Sequence, residues 1–529
     1  MPSVTAASVE TVRLMVGLEV HVELATRTKM FTRARSPACP ANYGVEPNAL
    51  IDETVLALPG ALPVMNRAAV EMAMMVGLAL NCSIARQTKW DRKGYFYPDL
   101  PKSYQISQYD LPLCFDGAVD VPSVDERGVA TTRRIGIVRA HLEEDAGKLL
   151  HELPGGGAGA KIDFSIADYN RAGTPLLEVV TAPDFTSADE VVAFARMLRN
   201  LCRFLGVSEG VMQRGHMRFE PNINCVMTLT DGTVVRTPVV EIKNLNSFKA
   251  LRGAIEHERA EQPRRWQQDG RVMGPGQKVT RGWDDHAERT FVQREKEDAQ
   301  DYRYFPDPDL PPVVVGERWL EEVRGRLPEL PAARRARYIG QYGLGEKEAD
   351  ALVEERDVCL FYESAVETLT AMGVEHVRAG KVAANLVLQT GLKLANERSK
   401  ASIADGGEPV LVHELGITAA QVAGIAKLRE DGKVNNQAVE PMFVACCAEP
   451  GAAVEQIAQR LGVLIVRDDA ALARWIEQVL AANAKVAEDV RGGKVQAVGR
   501  LVGEVMKLAG GQADAKTVRE EILRKLGAG

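Results

Sequence analysis

No two cysteines of this chain stand in a CxxC pair; the eight present (Cys39, Cys82, Cys114, Cys202, Cys225, Cys359, Cys446 and Cys447) are scattered. That excludes a zinc ribbon and a disulfide framework, and it fits a reducing compartment. The adjacent Cys446 and Cys447 read as small buried hydrophobes. Long apolar runs are missing too, since the longest, around Met72–Leu80, is too short to span a bilayer. Met1–Glu10 has no basic n-region and no apolar core, so the expectation is no signal peptide, no membrane partner and a cytoplasmic location. A positive balance is also lacking: the net charge of −7 argues against a generic basic coat for nucleic acid, though not against a local basic patch. Finally there is no Walker loop. Gly155-Gly-Gly-Ala-Gly-Ala-Lys161 lacks both the Gly before the lysine and the Ser or Thr after it, and reads as a flexible hairpin connection.

What is present is the composition of a globular protein, 46% hydrophobic and 26% charged over 529 residues. Such a chain exceeds one core, and three or four domains are expected. Its most informative stretch is Gly17-Leu-Glu-Val-His-Val-Glu-Leu24. As a strand it places Glu19, His21 and Glu23 on one face and Leu18, Val20, Val22 and Leu24 on the other. Closely spaced carboxylates repel, and a hard cation with oxygen ligands relieves that repulsion. The plain alternative is a half-buried strand with a solvated polar face.

Four further segments repeat the pattern. Ile135–Lys148 sets Arg139, His141 and Glu143 against Val138, Ala140 and Leu142, and which acid of Glu143-Glu144-Asp145 points inward depends on where the strand ends. Glu178 lies in the apolar run Pro175–Val180, a costly place for an unpaired acid. Arg218–Cys225 groups Arg218, Glu220, Asn222 and Asn224, and Val239–Lys243 groups Glu241 with Lys243 before a helix running through Glu258. An antiparallel sheet with one buried face would gather these groups into an acidic concavity. Trp90–Asp110 interleaves Arg92, Lys93 and Lys102 with five tyrosine and phenylalanine rings, and Pro98 and Pro101 argue against a regular helix there. Ala68–Leu80 reads as a core helix. A second helix follows Ser187, with Glu190 completing a capping box and Val191, Phe194, Leu198, Leu201 and Leu205 as its buried stripe.

After Asp309-Leu-Pro-Pro312 the spacing turns helical, through Glu317–Leu327, Pro331–Tyr342, Glu346–Glu367, Val382–Glu397 and Ala419–Asp431. From Arg491 onward eight basic residues oppose four acids, a small basic module suited to phosphate-backbone contacts or merely a solvated face. The expected fold class is therefore α+β: a β-rich cradle with one polar acidic sheet face over 1–305, a helical domain over 306–455 and a small helical tail over 456–529.

Several long strings then carry a resemblance: the opening Gly17–Leu24, Asp91-Arg-Lys-Gly-Tyr-Phe-Tyr-Pro-Asp99, Tyr104-Gln-Ile-Ser-Gln108, His141-Leu-Glu-Glu-Asp-Ala-Gly-Lys148, Asp168-Tyr-Asn-Arg-Ala-Gly-Thr-Pro-Leu-Leu-Glu178, Glu241-Ile-Lys-Asn-Leu-Asn-Ser-Phe248, Arg294-Glu-Lys-Glu297 and Asp301-Tyr-Arg-Tyr-Phe-Pro306. Over almost its whole length the chain resembles the B subunits of the tRNA-dependent aspartyl/glutamyl amidotransferases. The resemblance implies ATP-dependent phosphorylation of the side-chain carboxylate of a mischarged aminoacyl-tRNA, with Mg²⁺, followed by amidation with ammonia from an amidase (A) subunit; a small C subunit completes the heterotrimer. It implies catalytic roles for Glu19, His21, Glu144 and Glu241, with Glu143, Glu178 and Glu220 as further metal candidates. It implies an ammonia passage at Lys93 and Lys102, and a YqeY-like tail that binds tRNA, with Arg491, Lys494, Arg500 and Lys507 as candidates. Asn244 and Asn246 are candidates to orient phosphate or the substrate carboxylate. No Ser-Lys amidase signature or Cys-His pair is found, so ammonia must come from a partner. Glu23 shares the acidic face without matching a ligand position. One stretch departs from the family pattern: Met212-Gln-Arg-Gly-His-Met-Arg-Phe-Glu220 has Arg214 in place of an acid and Glu220 in place of Asp. That departure keeps open an alternative, a tRNA-binding scaffold without chemistry.

Overall fold

The structure, a computed structural model, describes residues 8–94, 96–125, 127–152, 161–294, 302–404, 409–465, 469–492, 495–509, 513 and 515–527. The glycine-rich connection read at 155–161 lies almost wholly outside them.

Alternation governs the first compact unit, Met1–Leu330. In the fifteen-residue strand Val9–Glu23, the side chains of Leu14, Val16, Leu18, Val20 and Val22 are buried on one face. This strand is fifth in the nine-strand path of a ten-stranded sheet, flanked by Pro175–Thr181 and Met217–Leu229, both antiparallel to it. Ala130–Glu144 follows Pro175–Thr181, and Val240–Lys243 follows Met217–Leu229. The sheet is not wholly antiparallel as expected. Val240–Lys243 runs parallel to Val279–Asp284, and the intervening helix Phe248–Asp269 supplies the crossover that a parallel pair requires.

Helices Arg67–Ala79, Ala188–Phe204 and Phe248–Asp269 bury their apolar stripes with the apolar sheet face in one core. The opposite sheet face keeps its acids. Ser187 caps the second helix, its hydroxyl accepting from the Glu190 amide at 3.2 Å. The reciprocal half of the expected capping box does not form. The Glu190 carboxylate instead accepts from the Thr186 amide at 2.7 Å and from Arg133 and Ser123, tying the helix start to two neighbouring strands.

The chain from 306 to 330 also belongs to this first unit, beyond the boundary expected at 305. Phe305–Pro306 pairs with Asp91–Gly94, Val313–Val314 pairs with Gln87–Thr88, and helix Glu317–Arg324 packs on Arg67–Ala79. Polar pairing and packing of short segments leave little periodic trace. The second unit, Pro331–Gly529, is helical among its described residues. Within it Ile476, Val479, Leu501, Val505, Val518 and Ile522 form a core of their own. Helix Val454–Arg460 lies outside that core, its Val454 side chain set against Gly424. A tail starting at 456 would therefore cut a helix of the preceding bundle.

One buried cation offers a test of this packing. Lys29 is fully buried and its ammonium donates to the carbonyls of Ala172 and Tyr169 at 2.6 and 3.2 Å. Burial lowers its pKa from 10.5 to about 8, against the opposing pull of Asp52, Glu144 and Asp168. Below pH 8 the folded state bears the cost of a charge out of water. From about 8 to 10.5 the unfolded chain holds a proton the native state has released, so stability owed to Lys29 rises with pH. Relative to Lys29→Met, wild-type stability in urea should gain up to about 1.4 kcal/mol per pH unit across that window. A difference independent of pH would mean the ammonium titrates normally.

Candidate functional site

Five strands project ionisable groups from the polar sheet face into one pocket of about 1270 Å³. Cross-strand register decides which groups meet. Glu19 stands opposite Glu220; His21 stands opposite Glu178 and Arg218; Glu178 stands opposite His141; and Glu241 stands opposite Asn222. Like charges placed directly opposite are destabilising, so this arrangement is not explained by folding alone.

Two triads result. In the first, His21 Nε2 lies 3.6 Å from Glu143 Oε1 and 3.5 Å from Glu178 Oε2, and His141 Nε2 reaches the same Glu178 oxygen at 3.5 Å. In the second, Glu19, Glu220 and Glu241 converge; within each triad the donor atoms lie within 4.8 Å of one another. Asn222 donates to Glu19 at 2.9 Å and Thr280 to Glu241 at 3.1 Å. Lysines rim the second triad. Lys243 lies 3.0 Å from Glu220 and 3.7 Å from Glu241, and Lys278 lies 3.4 Å from Glu241.

The electrostatics follow from burial and crowding. Burial, then the charges of Glu178, Glu241 and Glu220, raises the pKa of Glu19 despite Lys278. Burial also raises Glu143 to about 6, with Glu178 adding to it while Lys93 and His21 oppose. Burial works against the His21 imidazolium, but the hydrogen bond and charge of Glu178 and the charges of Glu143 and Glu220 prevail and push it up to about 9. Glu178 is itself held well below the usual carboxylate range, because His141, His21 and Lys93 outweigh its burial. For His141 burial prevails and lowers it to about 4.

Five carboxylates and one imidazole form a donor set suited to a hard divalent cation such as Mg²⁺. The Nδ1 atoms of His21 and His141 are buried without a hydrogen-bond partner among the described residues. Repulsion from neighbouring carboxylates adds to burial in raising Glu19 and Glu143, and a cation bound among them would relieve that repulsion.

Not every sequence-derived candidate arrives here. The strand Ala130–Glu144 continues through Glu144, so alternation sends that carboxylate to the other side from Glu143. Glu144 accepts from the Ile106 amide at 2.9 Å and pairs with Lys102, facing a separate narrow cavity bordered by Phe31, Leu100 and Gly173. Lys102 therefore does not line the acidic pocket, whereas Lys93 does. The pKa of Lys93 is raised because Glu143, Tyr304 and Glu178 outweigh its burial. Asn244 lines the pocket with a left-handed backbone, φ 65°; Asn246 is exposed outside it. Glu23 is buried beside Asp145 and Arg218, apart from both triads, and burial and Asp145 raise it to about 8. Arg491, Arg500 and Lys507 are exposed on the tail, and Lys494 lies outside the described residues.

The divergent stretch leaves the pocket intact. Met212–Arg214 is a single 3-10 turn, Arg214 lies over the Tyr43 ring at 4.9 Å, and Tyr43 stacks on His216. Glu220, despite its longer arm, joins Glu19 and Glu241. Lys278 and Thr280, which the sequence does not single out, also line the pocket, as do Tyr109 of the aromatic stretch and Tyr304, stacked with ring centroids 4.2 Å apart. The only signal for Lys278 is its place after a Gly-Pro-Gly turn at the start of a short strand.

Likeness to known proteins extends over both units. Residues 14–321 match the family model described as GatB/GatE catalytic domain, and residues 370–526 match that described as GatB domain. The chain is 43% identical over 497 residues to the B subunit of the aspartyl/glutamyl-tRNA(Asn/Gln) amidotransferase of Rhodopirellula baltica, covering 94% of this chain and 93% of that protein. The protein of the same name from Thermobifida fusca is 43% identical over 523 residues, covering 97% and 94%, and that from a Geobacter species is 39% identical, covering 97% and 99%. With its sheet-bearing unit and its helical unit both matched, the chain belongs to the family of aspartyl/glutamyl-tRNA amidotransferase B subunits.

Proposed function

We propose that this chain uses ATP to phosphorylate the side-chain carboxylate of Asp or Glu carried on tRNA(Asn) or tRNA(Gln), and that ammonia then attacks the acyl phosphate, forming the amide and releasing phosphate. A carboxylate is a poor electrophile because oxide is a poor leaving group; phosphorylation supplies a better one. The step must bring two anions together, the carboxylate and the γ-phosphate of ATP. The observation that carries the reading is the convergence of two carboxylate triads with Lys93, Lys243 and Lys278 in one pocket. His21, Glu143 and Glu178, together with Glu19, Glu220 and Glu241, would hold Mg²⁺. Bound there, Mg²⁺ supplies the charge neutralisation that lets phosphate and carboxylate approach.

The surrounding residues position and polarise. Asn222 and Thr280 fix the rotamers of Glu19 and Glu241, and His141 does the same for Glu178. Asn244 orients phosphate or the substrate carboxylate. Ammonia from an amidase partner passes the Lys102–Glu144 pair and reaches the pocket beside Lys93. In this reading Glu144 belongs to the passage and not to the metal site. A small C subunit completes the heterotrimer, the basic tail contacts the body of the tRNA, and the enzyme works in the cytoplasm. No helix among the described residues is long and apolar enough to cross a membrane.

Both triads are complete, which favours chemistry over a scaffold role. The deciding assay supplies the assembled enzyme with ATP, glutamine and each mischarged tRNA. Phosphate release should depend on the mischarged tRNA and match amide formed one for one. ATP turnover indifferent to the mischarged tRNA would overturn the reading.

A further inference from the structure

Residues 302–309 are laid as a strap along the strand Asp91–Gly94 and fixed to it at both ends. The Gly94 amide donates to the Tyr302 carbonyl at 2.8 Å, and the Asp307 amide donates to the Trp90 carbonyl, also at 2.8 Å. Between these bonds Phe305 pairs with Arg92 and Pro306 with Asp91, antiparallel, at the edge of a three-stranded sheet. Pro306 has no N–H to give, which suits an edge.

Alternation sorts the side chains to the two sides of this small sheet. Lys93, Tyr302 and Tyr304 turn to the acidic pocket: all three line it, the Lys93 ammonium lies 4.9 Å from the centre of the Tyr302 ring, and Tyr304 stacks on Tyr109. Arg92 turns the other way. Its Nε donates to Asp307 at 2.7 Å and its Nη2 to Asp309 at 2.8 Å, while its guanidinium lies 4.3 Å from the centre of the Tyr104 ring. One side chain thus ties two acids of the strap to the strand that carries Lys93. Asp307 is itself held, its Oδ1 accepting from the amides of Asp309 and Leu310 at 2.8 and 3.1 Å. A fork of N–H donors on a flat cation that also stacks on a ring is what arginine provides and lysine does not. The clamp acts on a strained segment: Arg303, between the two tyrosines, is left-handed at φ 49°, a conformation that persists away from glycine only where the surroundings impose it.

We infer that Arg92 is a positioning residue for the amide-forming step: through Asp307 and Asp309 it holds the strap so that Tyr302 and Tyr304 fix Lys93, and this sets how often the acyl phosphate is captured by ammonia and how often by water. The inference rests on the acyl-phosphate reading above. Ammonia attacking the acyl carbon makes the C–N bond, breaks the C–O bond to phosphate and gives up one proton to the departing phosphate. Water attacking the same carbon breaks the same bond but returns the carboxylate, its protons passing to phosphate and solvent, so ATP is consumed without amide. A displaced wall misplaces ammonia, which arrives by one route, more than it misplaces water, which arrives from any side.

The test counts phosphate and amide in the same reaction, on the assembled enzyme carrying Arg92→Lys. The ratio of phosphate to amide should rise from parity to roughly threefold, with phosphate release still dependent on mischarged tRNA and close to the wild-type rate. Asp309→Asn, on an exposed side chain, removes one arm of the clamp and should raise the ratio by less; it decides the matter if Arg92→Lys does not assemble. A ratio that stays at parity overturns the inference, whether both rates are unchanged or fall together, because a merely structural loss lowers them alike. Wild-type enzyme that forms amide without releasing phosphate would defeat the acyl-phosphate reading instead, an outcome the wild-type control separates from the others.

Discussion

Glu178→Gln should reduce ATP-dependent amide formation by about a hundred- to a thousandfold while leaving tRNA affinity within a factor of about two. One oxygen of Glu178 lies 3.5 Å from both His21 and His141, and the His21 imidazolium and Lys93 favour its ionised form. The amide removes a negative charge from the middle of the first triad and offers an N–H₂ where only an acceptor fits. Two buried histidines then lose a shared partner, and the donor set for a cation falls from five carboxylates to four. The Gln side chain has nearly the volume of Glu, so loss of activity should come without unfolding. Equal turnover in wild type and variant would remove the first triad from the chemistry. Calorimetric titration with Mg²⁺ provides an independent reading, with weaker binding expected in the variant.

The second large effect should come from the far end of the chain. Removing residues 469–529 should weaken binding of tRNA by tenfold or more at moderate salt, and flatten its dependence on salt concentration. Phosphate contacts release counterions, so each lost contact lowers the slope of log affinity against log salt by about one. Arg491 and Arg500 are exposed, while Lys507, Arg524 and Lys525 are partly occupied by Glu504, Glu521 and Glu477. The cut spares helix Val454–Arg460, and the removed helices have a core of their own, so the remainder keeps its packing. Filter binding at several salt concentrations measures both quantities. Identical affinity and slope after truncation would place tRNA contact elsewhere.

Period-two alternation made much of the site legible before any coordinates. Alternation puts Glu19 and His21, Glu220 and Glu241 each on the polar face of a strand, while Glu178 stands out as an acid in an apolar run, and the sheet brings all five to one face. The same rule, applied to Glu143 and Glu144, separates them once the strand end is known. Family likeness pointed to Glu144, but alternation continued through it and turned its carboxylate toward Lys102. Register was not legible. Nothing local says that Glu19 faces Glu220, because the pairing of residues two hundred positions apart depends on the whole sheet. Nor does alternation reveal that Val240–Lys243 takes a parallel neighbour, a consequence of the helix between the two strands. Lys278 and the stacking of Tyr109 on Tyr304 are illegible for the same reason: short strands and loops carry no period, and their chemistry depends on what lies across from them.

The central place of Val9–Glu23 in the sheet has a consequence for synthesis. Both of its neighbours, Pro175–Thr181 and Met217–Leu229, are made long after it. At about 5–20 residues per second, the strand emerges from the ribosome and waits roughly 10–40 s for the second partner. Throughout that interval its apolar side and its unpaired backbone are available to other chains. A nascent chain arrested before residue 229 would therefore be a client for chaperones, and Glu19 and His21 meet their cross-strand partners only once that last strand has been made.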